Sequence, residues 1–237
     1  MAAALLLETA APAVSLRFGM DTRGAPGSFV PELERRPEDH RLPPQITKEQ
    51  LRSLTGLEVD ILRAIARGMG ATPEIVPISW FDYEKELMAG RVDLILGSWT
   101  PTAQTPKAVA ASIPYYDWGI LAAVRTESPV HALIELEGLR VGRIPDPSVE
   151  PALLGMQTGL RTRFVVVEDG ERLFDELLAG RLDALFYDSM YVKWRVRRGA
   201  PIRIVGEPLN RLGYHIGVLR SREDPVSYTH LTLPTKA

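Results

Sequence analysis

The segment LMAGRVDLIL (Leu87–Leu96) recurs as LLAGRLDALF (Leu177–Phe186). From Leu87 to Asp93 and from Leu177 to Asp183, five of seven positions are identical: Leu, Ala, Gly, Arg and Asp. The glycines, Gly90 and Gly180, stand 90 positions apart. An amphipathic stretch ends in each copy, FDYEKELMAG in the first and ERLFDELLAG in the second. Tyr83, Leu87 and Met88, and likewise Leu173, Phe174, Leu177 and Leu178, recur at the spacing of one helix face. Glycine then closes the helix, because it enters the left-handed region at little cost. The runs that follow, DLILG and DALFY, are apolar without alternation, the pattern of strands covered on both faces in parallel sheets. Each copy predicts helix, cap and buried strand. Together they predict two similar α/β halves that face each other across a cleft.

Outward from the first copy, Leu16–Met20 predicts a first strand, followed by a polar, proline-rich segment from Asp21 to Thr55 in which ITKEQLRSL predicts a short helix. Gly56–Met69 predicts a strong helix, with Leu57, Ile61, Ile65 and Met69 on one face and Arg63 and Arg67 away from it. Glu74–Ile78 predicts a strand, and Tyr115–Arg125 one long strand-like run joining the halves. The second half reads strand Arg140–Ile144, helix from Ser148, strand Arg163–Val167, the repeat helix, strand Asp183–Tyr187, helix Ser189–Arg197 and strand Ile202–Val205. Tyr214–Arg220 predicts a further strand. This alternation implies mostly parallel sheets with right-handed crossovers. Two extended crossings, near 117–124 and 209–216, predict a hinge.

Composition bounds the function. The 237 residues are 45% hydrophobic with mean hydropathy −0.04, enough for a globular core. A net charge of −2 gives no electrostatic footprint for nucleic acid. The basic cluster at Trp194–Ile204 reads as a solvated helix end. No cysteine is present, so neither a disulfide framework nor a thiolate metal site is expected. The four histidines are scattered without metal-ligand spacing, and no nucleophile elbow, phosphate loop or dinucleotide fingerprint occurs. No metal or cofactor is therefore expected and no catalytic set is named, although the 30 Asp and Glu leave a carboxylate acid–base pair open. No apolar run reaches the roughly 18 residues of a membrane span. Residues 1–13 resemble the back half of a secretory signal without its basic front. From Val226 the composition shifts to VSYTHLTLPTKA, which resembles translated adapter read-through, so residues 223–237 are expected to be partly non-native.

GLEVDILRAIARGM (Gly56–Met69) resembles the motif of the bacterial extracellular solute-binding proteins of family 3, the polar-amino-acid receptors of ABC importers. SIPYYDWGILAAVR (Ser112–Arg125) is similar to the stretch around that family's first hinge strand. Both GRxD repeats and LEGLRVGR fall in the family's order, and the resemblance covers about Leu16 to Arg222. It implies a two-lobed α/β fold of the type II periplasmic-binding-protein kind. The first lobe would comprise 14–118 with 214–222 returning to it, and the second 119–213. It also implies a monomeric exported protein that binds a small polar solute and delivers it to a membrane permease.

The resemblance carries functional roles to particular positions. Asp21 corresponds to the acid after the first strand and Trp80 to the aromatic wall of the pocket. Gly97, Ser98, Thr100 and Thr102 correspond to the segment that meets the ligand with backbone and hydroxyls. Asp188 corresponds to the acid that binds an α-ammonium, Arg143 to a basic residue before the anion-binding turn, and Pro145–Ser148 to that turn. Two departures stand out. The arginine that forks onto a ligand carboxylate aligns with Thr105, which offers no bidentate charge-assisted bonds; Lys107 nearby is a point charge. Pro145 and Pro147 remove N–H donors from the anion-binding turn, although Ser148 can still cap the next helix.

Each of these residues has a plainer role open to it. Asp188 suits an N-cap for the helix at Ser189 as well as a ligand contact. Trp80 can be partly core, the hydroxyls at 98–102 turn stabilisers, and Arg143 a surface ion-pair partner. Tyr115 and Tyr116 read as hinge packing. Asp93 and Asp183 read as structural acids that pair with backbone at a strand start. Two alternatives to transport remain at this level: a prephenate- or arogenate-type dehydratase on the same scaffold, and a sensor module of a membrane receptor.

Overall fold

A computed structural model describes residues 14–31 and 43–222. The expectations for residues 1–13 and 223–237 lie outside the described residues. The chain begins with β1 (Ser15–Met20), the hairpin β2–β3 (Arg23–Gly24, Ser28–Phe29), α1 (Lys48–Arg52), α2 (Leu57–Gly68) and β4 (Thr72–Pro77). Next come α3 (Tyr83–Met88), β5 (Leu94–Ile95), β6 (Val109–Ala111) and β7 (Tyr116–Trp118). The second half holds β8 (Ile120–Arg125), β9 (Arg140–Arg143), α4 (Glu150–Leu160), β10 (Arg163–Val166), α5 (Gly170–Leu178), β11 (Ala184–Asp188), α6 (Ser189–Arg197) and β12 (Ile202–Val205). The return is made by β13 (Leu212–Tyr214) and β14 (Gly217–Leu219).

Two five-stranded sheets result, ordered β4-β1-β5-β14-β6 and β10-β9-β11-β8-β12. In the first, β1 runs parallel to β4 and β5; in the second, β9 runs parallel to β10 and β11. The fourth strand of each is antiparallel to both neighbours, and each is the strand that has just crossed from the other half: β14 in the first sheet, β8 in the second. The molecule is thus a two-lobed α/β fold with matching lobes. A short antiparallel ribbon of β7 and β13 joins them.

The repeated segment performs one task twice. Gly90 and Gly180 end their helices at φ 68° and 73°, where only glycine sits without strain. Arg91 turns back onto Glu86, and Arg181 onto Glu176. Asp93 accepts the Arg17 backbone N–H at 2.9 Å and grips the Arg17 guanidinium at 2.8 and 3.0 Å. Asp183 accepts the Arg140 N–H at 2.9 Å and grips that guanidinium at 2.7 and 3.0 Å. Each repeat acid, at the start of its own strand, therefore pairs with the backbone of the strand beside it, β1 or β9, in line with the structural role expected from sequence. Met88 and Leu178, placed on the apolar face by spacing, are instead 47% and 37% exposed.

Three other expectations are corrected. The buried face of α2 is Val59, Leu62, Ile65 and Ala66 together with Glu58, whereas Leu57 and Met69 are each 40% exposed. Each i, i+4 step overshoots a full turn by about 40°, so a row of four such residues drifts off any one face. Second, Tyr115–Arg125 is not a single strand. It breaks at Gly119, where a Cβ would lie 2.1 Å from the Asn210 carbonyl oxygen. Third, Tyr214–Arg220 breaks between β13 and β14. Both breaks fall where the ribbon hands over to a sheet. Tyr214 packs there on Trp118 with ring centroids 5.0 Å apart and on Tyr116 at 5.9 Å. The short helix expected in ITKEQLRSL is α1, closed at its start by a capping box between Thr47 and Gln50.

Candidate functional site

The parallel strands β4, β1 and β5 of the first sheet and β10, β9 and β11 of the second point their C-terminal ends at a cavity of about 180 Å³ between the lobes, the edge where ligands bind in α/β sheets. The first lobe builds its wall around Glu58. The α2 N-terminus docks on the β2–β3 turn: Leu57 and Glu58 donate their N–H groups to the carbonyls of Pro26 and Gly27. Gly56, at φ 126°, admits this approach, since a Cβ there would lie 2.1 Å from the Gly27 oxygen. Glu58 is thereby driven inward and is only 1% exposed. Its Oε1 accepts from the Ser98 N–H at 2.5 Å, the Ser98 hydroxyl at 3.1 Å and the Tyr115 hydroxyl at 2.6 Å. Burial raises its pKa, and these donors oppose the shift. Ser98 sits at φ 53°, a left-handed conformation costly for a non-glycine residue; the Glu58 contacts hold it there. Its carbonyl accepts from the Trp80 indole at 3.4 Å, which orients that ring along the cavity.

Asp21 and Arg23 sit beside this wall. Asp21 accepts from Arg23 at 2.8 and 2.6 Å and from the Trp80 N–H at 3.2 Å, and its own N–H donates to the Tyr83 hydroxyl at 2.6 Å. Tyr83 is buried, and the nearby Asp21 and Glu58 charges add to burial in raising its pKa.

On the second lobe Asp188 ends β11 and caps α6, its Oδ1 accepting from Met190 N–H at 2.6 Å and Tyr191 N–H at 3.3 Å. The N-cap role and the cavity position thus coexist in one side chain. Burial, with Asp146 and Glu58 nearby, pushes its pKa up to about 8. Asp146, in the loop after β9, accepts from the Ser148 N–H at 2.8 Å and hydroxyl at 2.7 Å, and burial raises its pKa too. Arg143 reaches the cavity but pairs with Glu150 at 2.5 Å and lies 5.7 Å from the Phe164 ring centroid. Glu171 binds Arg195 and Tyr191.

Of the positions singled out from sequence, Asp21, Trp80, Gly97, Ser98, Arg143 and Asp188 line this cavity together. Thr100, Thr102, Thr105 and Ser148 do not. Thr100 donates to the Gly213 carbonyl and accepts from the Trp118 indole, both at 3.0 Å, and so belongs to the hinge ribbon. Thr105 donates to Glu84 at 2.7 Å and accepts from the Thr102 N–H at 3.0 Å, closing its own loop. Ser148 is spent on Asp146. Sequence reasoning missed Arg23, Glu58, Glu168, Glu171 and Tyr187 as cavity residues, whereas Asp146 lies inside the Pro145–Ser148 turn that the resemblance had assigned to the ligand. For Glu58 a signal existed: it is the first acid of GLEVD, one residue inside the helix start. For Arg23 the signal was a base two residues after the acid that follows β1.

The family model of the bacterial extracellular solute-binding proteins, family 3, matches residues 38–201. The chain belongs to that family. Among curated members of this kind, the L-cystine-binding protein TcyJ of Escherichia coli is 25% identical over 174 residues, 72% of this chain and 65% of TcyJ. The match thus spans somewhat under two thirds of that relative's length. A cyclohexadienyl dehydratase of Pseudomonas aeruginosa is 21% identical over 144 residues, 60% of this chain and 54% of the enzyme. Among solved structures, an ancestral arginine-binding protein bound to arginine superposes with TM-score 0.70 at 22% identity, covering 92% of this chain and 90% of that one. The holo arginine-binding protein of T. maritima gives TM-score 0.70 at 24% identity, with 92% and 88% covered. These likenesses place the family 3 chain on the two-lobed fold. Among its described residues no helix is long and apolar enough to cross a membrane.

Proposed function

We propose that this protein is the solute receptor of an ABC importer, exported from the cytoplasm, and that it captures a small polar solute between lobes drawn at 14–118 with 214–222 and at 119–213. One observation carries the reading: one cavity takes its wall from both sheets, while among the described residues two crossings of the chain connect them. A solute touching both walls stabilises the closed form over the open one, and that differential affinity shifts the hinge equilibrium. A permease then reads the closed form. Within this reading Asp21, Trp80, Gly97, Ser98, Arg143 and Asp188 are ligand-facing residues, and Thr100, Thr102, Thr105 and Ser148 support them. Calorimetry against a broad panel of amino acids and organic ions, paired with small-angle scattering, tests it. A binder that also compacts the protein is expected. A panel with no binder and no compaction overturns the reading.

A dehydratase reading has one observation in its favour, an acid in the cavity, Asp188, that retains its proton near neutral pH. The cavity's excess of carboxyls opposes it, because cyclohexadiene acids are anions. Turnover assays on prephenate and arogenate are expected to be negative, and measurable turnover of either would restore the enzyme.

A further inference from the structure

We infer that the solute is an organic cation that carries no carboxylate, held at its charged end by the paired carboxyls of Asp146 and Asp188. This rests on the receptor reading above and names the ligand class of the same cavity.

The argument begins with a charge count. Six carboxyl side chains line the cavity (Asp21, Glu58, Asp146, Glu168, Glu171 and Asp188) against two arginines, Arg23 and Arg143. Both arginines already hold carboxylates, Arg23 on Asp21 and Arg143 on Glu150. An incoming anion would have to compete with those partners in a space of low dielectric, where displaced charges are costly. Glu58 is taken up by Ser98 and Tyr115, and Glu171 by Arg195.

Asp146 and Asp188 differ from Asp21, Glu58 and Glu171. Each commits only one oxygen, Oδ1, and commits it to its own turn: Asp146 to Ser148, Asp188 to the N–H groups of Met190 and Tyr191. Their Oδ2 atoms make no hydrogen bond among the described residues. Asp146, in the loop just past β9, and Asp188, at the end of the neighbouring strand β11, line one cavity, and the charge of Asp146 bears on Asp188. A single ammonium or guanidinium that reaches both donates to these Oδ2 atoms and offsets the charge that Asp146 places on Asp188. The remaining wall suits the rest of such a solute. Trp80, Phe81, Tyr187 and Tyr191 present aromatic surface, which attracts cations and covers an alkyl chain.

Matched pairs that differ by one carboxylate provide the test: agmatine against arginine, putrescine against ornithine, cadaverine against lysine, titrated calorimetrically at pH 8.5. In at least one pair the amine is expected to bind at least about tenfold more tightly than its amino acid. Asp146→Asn keeps the Oδ1 acceptor for Ser148 and is expected to weaken amine binding about tenfold or more while leaving the thermal melt in place. Asp146→Glu, which restores the charge, is expected to recover part of that loss. Amino acids binding as tightly as their amines, or tighter, would overturn the inference and leave the receptor reading standing. Amine affinity unchanged in Asp146→Asn would also overturn it. Absence of binding by all six compounds would overturn it, and the receptor reading falls as well only if the broad panel is also silent.

Discussion

At the scale of single residues, the site is shaped by acids that the fold forces inward. Asp188 illustrates the cost. Its pKa rises from 3.8 to about 8 on folding, so below pH 3.8 the carboxyl is protonated in both states and costs nothing. As pH rises toward 8 the unfolded chain gives up its proton while the folded one must keep it, and stability is lost across that window. Asp188→Asn retains an N-cap oxygen but removes the penalty. Its melting temperature is expected to match the parent near pH 4 and to exceed it by about 3 °C or more at pH 8, with equilibrium melts at the two pH values as the check. Tyr83→Phe works in the other direction. It orphans the buried Asp21 N–H, now bonded at 2.6 Å, and is expected to cost about 1–2 kcal/mol in urea unfolding.

The elements show why parts of this structure can be read from sequence and parts cannot. Helix α5 was legible because Leu173, Phe174 and Leu177 are fully buried at helical spacing and a glycine closes the helix. The repeat acids were legible because the same Arg-x-Asp spelling preceded two apolar runs. For α2, two rows of apolar residues both satisfied the helical period, and the deciding influence was Glu58, whose partners Ser98 and Tyr115 lie 40 and 57 positions away. The cavity acid Asp146 was legible as part of the Pro145–Ser148 turn, but its association with Asp188 was not, for a related reason. In sequence it is one residue of a proline-flanked turn, and only the parallel pairing of β9 with β11 brings it beside Asp188. Strand breaks at Gly119 and after Tyr214 are likewise set by a packing partner across the ribbon. The duplicated locks give an element-scale prediction. Asp93→Asn and Asp183→Asn each remove a charge-assisted grip on a strand start, and each is expected to destabilise by about 1–2 kcal/mol. Because they sit in different sheets, the double variant should be additive within about 0.5 kcal/mol. Chemical denaturation of all three variants measures it.

Across the whole molecule, the hairpin β2–β3 of the first lobe touches the second. Phe29 meets Trp194 of α6 edge-on at 6.1 Å, and Ala25 is buried in the second lobe's apolar cluster. Phe29→Ala trims this contact without touching the cavity residues, so it should favour the open form. Scattering of the unliganded variant is expected to give a larger radius of gyration than the parent, and an unchanged radius would show that the contact does not govern closure. The exchanged fourth strands carry a consequence for how the chain is made. The second sheet draws every strand from Ile120 to Val205 and can assemble as soon as that stretch is available. The first sheet has an empty slot between β5 and β6 until Gly217–Leu219 arrives. The half that emerges first from the ribosome is therefore the half that must wait, an open-edged template until nearly the last described residue is in place, and its maturation is timed by its partner.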